Sequence, residues 1–410
     1  MESRVPQEQE GVFMSMHRGT DVVIVGGGVI GCSIAYFLRK TGVEVMVIER
    51  EEIAAESSAA AGGLITQLGG LAGPPPFTAL MLESWSLFAT LIAELEDASG
   101  VDIGYRQTGC LRAMLDEDEN EQMRKLVPVC QSMGIDMQWL TRGEAREMIP
   151  MLTSRVLGAA YAPQVGSISA SVMTRAYAAA ARSLGGVISE HLQVTGFTTH
   201  ASRLTSVQTV GGETIACNHL VIAAGSWSTN CGEWLGVNIP VHPAKGQILA
   251  LRQPERPLKH ALMVGASEML VKYGLGSDLF LVPKPDGTIY VGSTVEHVGF
   301  DKNLTVGGIA ALLTGVIQIA PELANAPIVK MWTGLRPWSA DGYPILGRAP
   351  GWENVSVATG HGGIGLEASA VTGKVIAELV TTGQVPERIR TFGLERFARI
   401  IARNPQGQDR

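Results

Sequence analysis

The chain has 410 residues, of which 46% are hydrophobic and 17% charged, with 49 glycines. That composition describes a well-packed enzyme of about two domains and excludes an intrinsically disordered chain. A net charge of −7 argues against nucleic acid or an anionic membrane as the main partner.

Residues 1–19 contain no apolar run of signal-peptide length and read as a flexible leader. "DVVIVGGG" (21–28) is a short β-branched run bounded by glycine, the pattern of a buried parallel strand. "GCSIAYFLRKTG" (31–42) follows as a helix, ending in Lys40 and Gly42 where helix ends favour a cation and a glycine. "VEVMVIER" (43–50) is the next strand, so the three form a βαβ unit. Gly26, Gly28 and Gly31 match G-x-G-x-x-G in the context that the motif needs, with Val29 and Ile30 between the last two. The first glycine permits the tight turn, the second lets backbone approach a pyrophosphate, and the third lets helix and strand pack closely. Glu49, followed by Arg50, ends the second strand, where a carboxylate accepts both hydroxyls of an adenosine ribose. This loop alone does not separate NAD from FAD.

A helix is expected over 77–100, and an irregular stretch over 101–150 with an exposed acidic run, "DEDENEQ", at 116–122. An alanine-rich helix covers 171–186, and "HLVIAAGSWS" (219–228) is a buried strand running into a glycine turn. From 240 to 330 short strands alternate with turns, Pro285-Asp286-Gly287 being a hairpin signal. "LTVGGIAALLTGVIQIA" (304–320), the most membrane-like stretch, is too short to span a bilayer, so no integral membrane segment is expected. A strand at 355–359, a glycine cluster and a helix at 367–380 close the pattern. The five cysteines, Cys32, Cys110, Cys130, Cys217 and Cys231, read as free buried thiols in a reducing cytoplasm. No metal cluster or Ser/His/Asp triad can be picked out.

The motifs extend beyond one loop. "ESSAAAGGLI" (56–65), "VIAAGSWS" (221–228), "PAKGQILAL" (243–251), "VPKPDGTIYVGSTVEHVGFD" (282–301), "GLRPWSADGYPILGR" (334–348) and "GHGGIGLEASAVTG" (360–373) follow in this order. Together they resemble the D-amino-acid-oxidase-like family of FAD-dependent amine oxidoreductases. Within it the likeness is to glycine oxidases of the thiamine-pathway type, which share a segment like "ASGVDIGYRQTG" (98–109). The resemblance implies an α/β fold: an FAD-binding Rossmann-like (glutathione-reductase-like) domain with an interleaved α+β substrate domain built on a large mixed sheet. The FAD domain would comprise 20–100, 160–240 and 330–390, and the substrate domain 101–159 and 241–329.

Carried over by position, Gly26, Gly28 and Gly31 hold the pyrophosphate of a non-covalent FAD and Glu49 the ribose. Ser57 and Ser58 lie beside the phosphates, and Ala61, Gly62, Gly63 and Leu64 pass the flavin ring. Val194 meets adenine, Ala224 and Gly225 close the nucleotide site, and Gly334, Gly360, Gly362, Gly363, Ile364 and Gly365 approach the ring. A helix N-terminus there stabilises the charge that reduction leaves near N1 and O2.

Arg336 takes the place of the family's substrate-carboxylate arginine, a role suited to a planar bidentate donor. The alternative is an ion pair with Asp341 or Glu367. Gly363 stands where glycine oxidases carry a second arginine, and Phe280 where they carry a tyrosine. Both departures imply a wider or more apolar pocket, for a larger or N-substituted amino acid. Tyr273 is a candidate hydroxyl from a neighbouring loop or a packed aromatic. His361 is a candidate for facing flavin or substrate, or a structural histidine, and Lys245 reads as a solvated turn lysine.

The expected activity is oxidative deamination of a small amino acid or secondary amine, by hydride transfer from Cα to flavin N5. Electrons would pass to O2 or another acceptor. The competing expectations are a D-amino-acid or imino-acid dehydrogenase passing electrons to a quinone or partner protein, a flavoprotein subunit of a larger amine dehydrogenase, and an NAD-dependent dehydrogenase. Homo-oligomerisation is left open.

Overall fold

The computed structural model describes residues 19–66, 73–265 and 278–398. Tyr273 and residues 1–18 of the expected leader lie outside the described residues.

The β-branched strand Gly19–Val25 pairs in parallel with Thr214–Ile222 on one side and Val45–Ile48 on the other. Val187–Ser189 extends this sheet beyond Val45–Ile48, and Val355–Thr359 pairs in parallel with the far end of Thr214–Ile222. An antiparallel hairpin, Val194–His200 with Arg203–Thr209, covers its near end. Three separated stretches of chain thus meet in one sheet. Its central strands are buried on both faces, which is why they read as continuous apolar runs.

The helices Val29–Lys40, Pro75–Ser99, Ala170–Ser183 and Gly365–Thr382 share a single core on one face. Pro75–Ser99 has the length and hydropathy of a membrane span, yet it lays Leu80, Met81, Leu91 and Leu95 into that core. Gly373 is where the last helix crosses the first. A Cβ there would stand 2.2 Å from Ser33 Oγ and 3.0 Å from the Ser33 carbonyl carbon.

A second sheet of eight described strands is mixed. Its order is Ile328–Ser339, Val241–Arg252, Thr288–Gly292, Leu279–Pro283, Ala261–Val264, Cys110–Met114, Gly158–Ala162 and Gln138–Thr141. Only the contact of Ala261–Val264 with Cys110–Met114 is parallel among these described pairs. The helix Val306–Ile319 packs Ala311, Leu312, Val316 and Ile319 against it, so the membrane-like stretch is an amphipathic cover. Leu64–Ile65, Arg106–Gln107 and Gly166–Ser167 form a small third sheet.

Two expectations are corrected. Ile328–Ser339, assigned from residue 330 on to the FAD-domain piece, pairs along its length with Val241–Arg252 and belongs to the second sheet. The stretch 101–150 is not irregular. Glu117–Ser132 is a helix whose N-cap Asp116 accepts from Glu119 N, with three acidic residues in its first turn against the positive end of the dipole. Arg142–Met148 follows behind a capping box of Thr141 and Glu144.

Gly373→Ala is expected to force these two helices apart and destabilise the apoprotein by about 2 kcal/mol, as overpacking does. A thermal melt at the wild-type temperature would mean that the helices reseat without cost.

Candidate active site and cofactor cavity

A cavity of about 310 Å³ lies where elements of the two large sheets face each other. At one end it meets the turn after the first strand. Gly26 sits at φ +113°, and a Cβ there would come within 2.4 Å of Ala223 O. Gly28 is the N-cap of the first helix, with no side-chain cap of its own; Val29 N instead donates to Ser58 Oγ at 2.9 Å. Gly31 does not line the cavity. It stands behind the turn, where a Cβ would lie 1.9 Å from Gly26 O, so its task is close packing rather than ligand contact.

Glu49 reaches back to the helix start, accepting from Gly27 N (2.6 Å) and Glu51 N (2.9 Å). Arg50 stacks on Trp227 at 3.8 Å and pairs with Glu56 at 3.1 Å, and Lys302 reaches the same Glu56 at 2.7 Å from the second sheet's side. Val29, Ile30, Ser57, Ser58, Ala61, Gly62, Val194, Ala224 and Gly225 all line the cavity. Gly63 and Leu64 do not. Gly63 turns away at φ +81°, giving its carbonyl to Ile168 N at 2.8 Å, and Leu64 pairs with Ser167 in the small sheet.

At the other end Arg336 projects from Ile328–Ser339, deep in the molecule but with part of its surface open to the cavity. It donates to Thr294 O (2.9 Å) and to Ser293 Oγ, lying over Gly246, where a Cβ would be 2.4 Å from one guanidinium nitrogen. Burial pushes its pKa down to about 10, against the opposing pull of Glu296. Neither alternative ion pair forms: Asp341 pairs with Arg396 at 2.7 Å, and Glu367 accepts from the Thr66 backbone with its carboxyl pushed up to about 8 by burial. Among the described residues, Arg336 has no carboxylate within ion-pair distance.

Gly334, His361, Gly362, Gly363 and Gly365 share this end of the cavity with Phe280. His361 is 2% exposed, and burial pushes its pKa to about 3, so the imidazole is neutral. Its Nε2 lies 3.1 Å from Thr372 Oγ1, while Nδ1 has no partner among the described residues. Gly360 and Ile364 fall off the wall: Gly360 packs on Ser339, and Ile364 caps the helix Gly365–Thr382. The Phe280 ring is held between Gly62 and Gly292, where a Cβ on either would come within 2.6 Å of its rim. Lys245 is not a solvated turn residue. It is 1% exposed and pairs with Glu296 at 3.1 Å, because it sits on a central strand of the second sheet. Sequence reasoning missed Trp227, Asn230, Trp234 and Ser293 on the wall; the tryptophan in "VIAAGSWS" was the available signal.

The family of FAD-dependent oxidoreductases (DAO) matches residues 21–379. The chain belongs to this family. The glycine oxidase of Geobacillus kaustophilus is 32% identical over 377 residues, covering 92% of this chain and 97% of that protein. The crystal structure of glycine oxidase from that organism superposes with a TM-score of 0.85 over 92% of this chain and 99% of the other. The hydrogen cyanide synthase subunit HcnC of Pseudomonas aeruginosa is 31% identical, over 93% and 97% of the two chains. L-proline dehydrogenase from P. horikoshii superposes with a TM-score of 0.83 at 25% identity, over 93% and 98%.

The flavoprotein's cavity wall fits FAD. Two helix N-termini meet it, Gly26 holds its turn tight against the Ala223 backbone, and His361 keeps a ring nitrogen without a partner among the described residues at its other end. Gly26→Ala, which drives a methyl group into Ala223 O, is expected to weaken FAD uptake by the apoprotein at least ~5-fold, from about 1–3 kcal/mol of strain. Flavin fluorescence quenching measures that uptake directly.

Proposed function

We propose that the flavoprotein oxidises a small amino acid or secondary amine of the glycine, sarcosine or D-amino-acid type, and that Arg336 anchors the substrate carboxylate. The observation that carries the reading is the Arg336 guanidinium itself, deep in the protein, facing the cavity and without a carboxylate partner among the described residues. A charge in that position is costly to leave uncompensated, and an anionic substrate supplies the missing partner. Serine and backbone carbonyl contacts hold the guanidinium in place while leaving donors for a bidentate bond.

In this reading the Gly26–Gly28 backbone and Ser57–Ser58 hold the FAD pyrophosphate, Glu49 the ribose, and Val194 the adenine. Bound FAD supplies a two-electron acceptor for the hydride that leaves the substrate Cα. The substrate must arrive as the neutral amine, so that loss of the Cα hydride leaves an iminium, which water hydrolyses. The chain's residues act by position. Arg336 fixes the carboxylate, Phe280 and Ile248 present apolar walls, and the neutral His361 adds no charge that would repel the developing iminium. Gly363 supports a substrate larger than glycine, because it places no side chain on the cavity wall beside Arg336, where a Cβ would already be in van der Waals contact with that side chain at 3.7 Å.

Glycine oxidases among the full-length relatives support O2 as acceptor, with H2O2 as product. A panel of glycine, sarcosine, proline and D-amino acids, scored for peroxide under air and for dye reduction without it, tests both points. Dye reduction without peroxide would replace O2 by a quinone or protein acceptor. Arg336→Met is expected to retain the visible flavin band while raising KM for carboxylate-bearing substrates ~100-fold, the scale of a truncated buried charge pair. An unchanged KM would remove Arg336 from the site.

A further inference from the structure

Lys284 is a charged group that the oxidation does not use. It follows the strand Leu279–Pro283 and shares a face with Phe280, by the two-residue period of an extended chain. The residue as a whole is partly exposed, but its Nζ turns inward, away from its own sheet. It donates to Gly62 O at 2.7 Å, Ile168 O at 3.1 Å and Ser167 Oγ at 3.4 Å. An ammonium carries three N–H donors, and here each meets an acceptor. All three acceptors are uncharged, and no carboxylate lies within ion-pair distance among the described residues.

The target of this charge is specific. Gly62 lines the cavity, and its Cα faces the Phe280 ring. At Gly63 a Cβ would lie 2.0 Å from Ile168 O and 2.8 Å from Lys284 Nζ, so the segment is clamped with no room to slip. Phe280 and Lys284 therefore grip one peptide from one face of the hairpin, the ring against Gly62 and the ammonium on its carbonyl. A methionine of similar length would fill the volume; only a donor holds the carbonyls.

We propose that Lys284 is a positioning residue for the cofactor: its ammonium pins the Gly62–Gly63 backbone to the second sheet and so sets the wall against which FAD lies. This rests on FAD binding and not on the identity of the amine. It also makes the wall sensitive to pH. Burial lowers the Lys284 pKa to about 8, with Asp286 opposing the shift. Above that pH two N–H groups remain for three acceptors and the charge is gone, so the clamp loosens as pH rises through about 8. The ionisable groups facing it are Asp286 and Tyr290 of its own hairpin, the Tyr290 ring centre lying 5.0 Å from Nζ. The Tyr290 hydroxyl is raised by burial and stays neutral across that range. The segments at 62–63 and 166–168 present only backbone and the Ser167 hydroxyl.

The test compares wild type, Lys284→Met and Lys284→Arg in three measurements: melting of the apoprotein, FAD affinity by fluorescence quenching, and the visible flavin band against pH. Lys284→Met is expected to fold, to bind FAD roughly ten-fold more weakly, the scale of lost charge-assisted hydrogen bonds, and to lose the wild type's band change near pH 8. Lys284→Arg, which keeps the donors, is expected to recover part of the affinity without the inflection. Wild-type affinity and pH profile in Lys284→Met would overturn the proposal. So would a Lys284→Met apoprotein that fails to fold while Lys284→Arg keeps the wild-type inflection, since the inflection would then belong to another group.

Discussion

The arrangement turns on a guanidinium held between two sheets without a counter-ion among the described residues. Arg336 stands on the outermost strand of the second sheet, and the period of that strand puts Gly334, Arg336 and Trp338 on one face. Gly334 must be small because Ala60 packs on it; a Cβ there would approach the Ala60 Cβ to 2.4 Å. Gly246, opposite on Val241–Arg252, must be small because the guanidinium lies over it. Two glycines on paired strands thus open the space in which one charge is fixed, with no carboxylate within ion-pair distance among the described residues.

The ions around the cavity follow the same logic. The parallel sheet is apolar on both faces and offers no place for charge inside it. Polar side chains are therefore concentrated where its loops meet the second sheet. Lys302 crosses to Glu56, Arg50 lies on Trp227, and Lys284 reaches Gly62. Lys245, on the strand paired with the one that carries Arg336, holds Glu296, whose charge opposes the lowering of the guanidinium pKa by burial without reversing it. Of these, the Lys245–Glu296 pair has little access to bulk water, so salt weakens it less than it weakens a surface ion pair.

The βαβ unit and its glycine turn were legible in the sequence because each signal is local: a β-branched run, a turn that only glycine permits, a helix with a terminal cation. The late glycine cluster was legible as a loop but not as a wall, since Gly360 and Ile364 face away for reasons of packing that spacing does not carry. Arg336 was legible as a chemical type. Its lack of a counter-ion was not, because Asp341 lies five positions on in the chain and only the chain fold turns it to Arg396. Lys245 was misread for the same reason: a Lys-Gly pair looks like a turn until long-range pairing makes it mid-strand. The helix at Glu117–Ser132 was readable in principle, as Asp116 and three following acids are a strong N-terminal signature that was taken only for exposed charge.

The two ends of the chemistry are joined more tightly than two sheets packed across a cavity would require. Gly362 N donates to Pro337 O at 2.8 Å, and His361 bridges to Trp338, so the late glycine loop is hydrogen-bonded to the strand that bears Arg336. The helix Gly365–Thr382 starts from that same loop. The strand that bears Arg336 and the N-terminus of that helix are therefore tied into one piece, whatever small shifts occur between the sheets. Transfer of a hydride depends steeply on the separation and alignment of donor and acceptor. A scaffold that sets this separation through neighbouring backbone bonds, rather than through packing of one sheet on another, keeps it constant while the rest of the pocket varies among substrates.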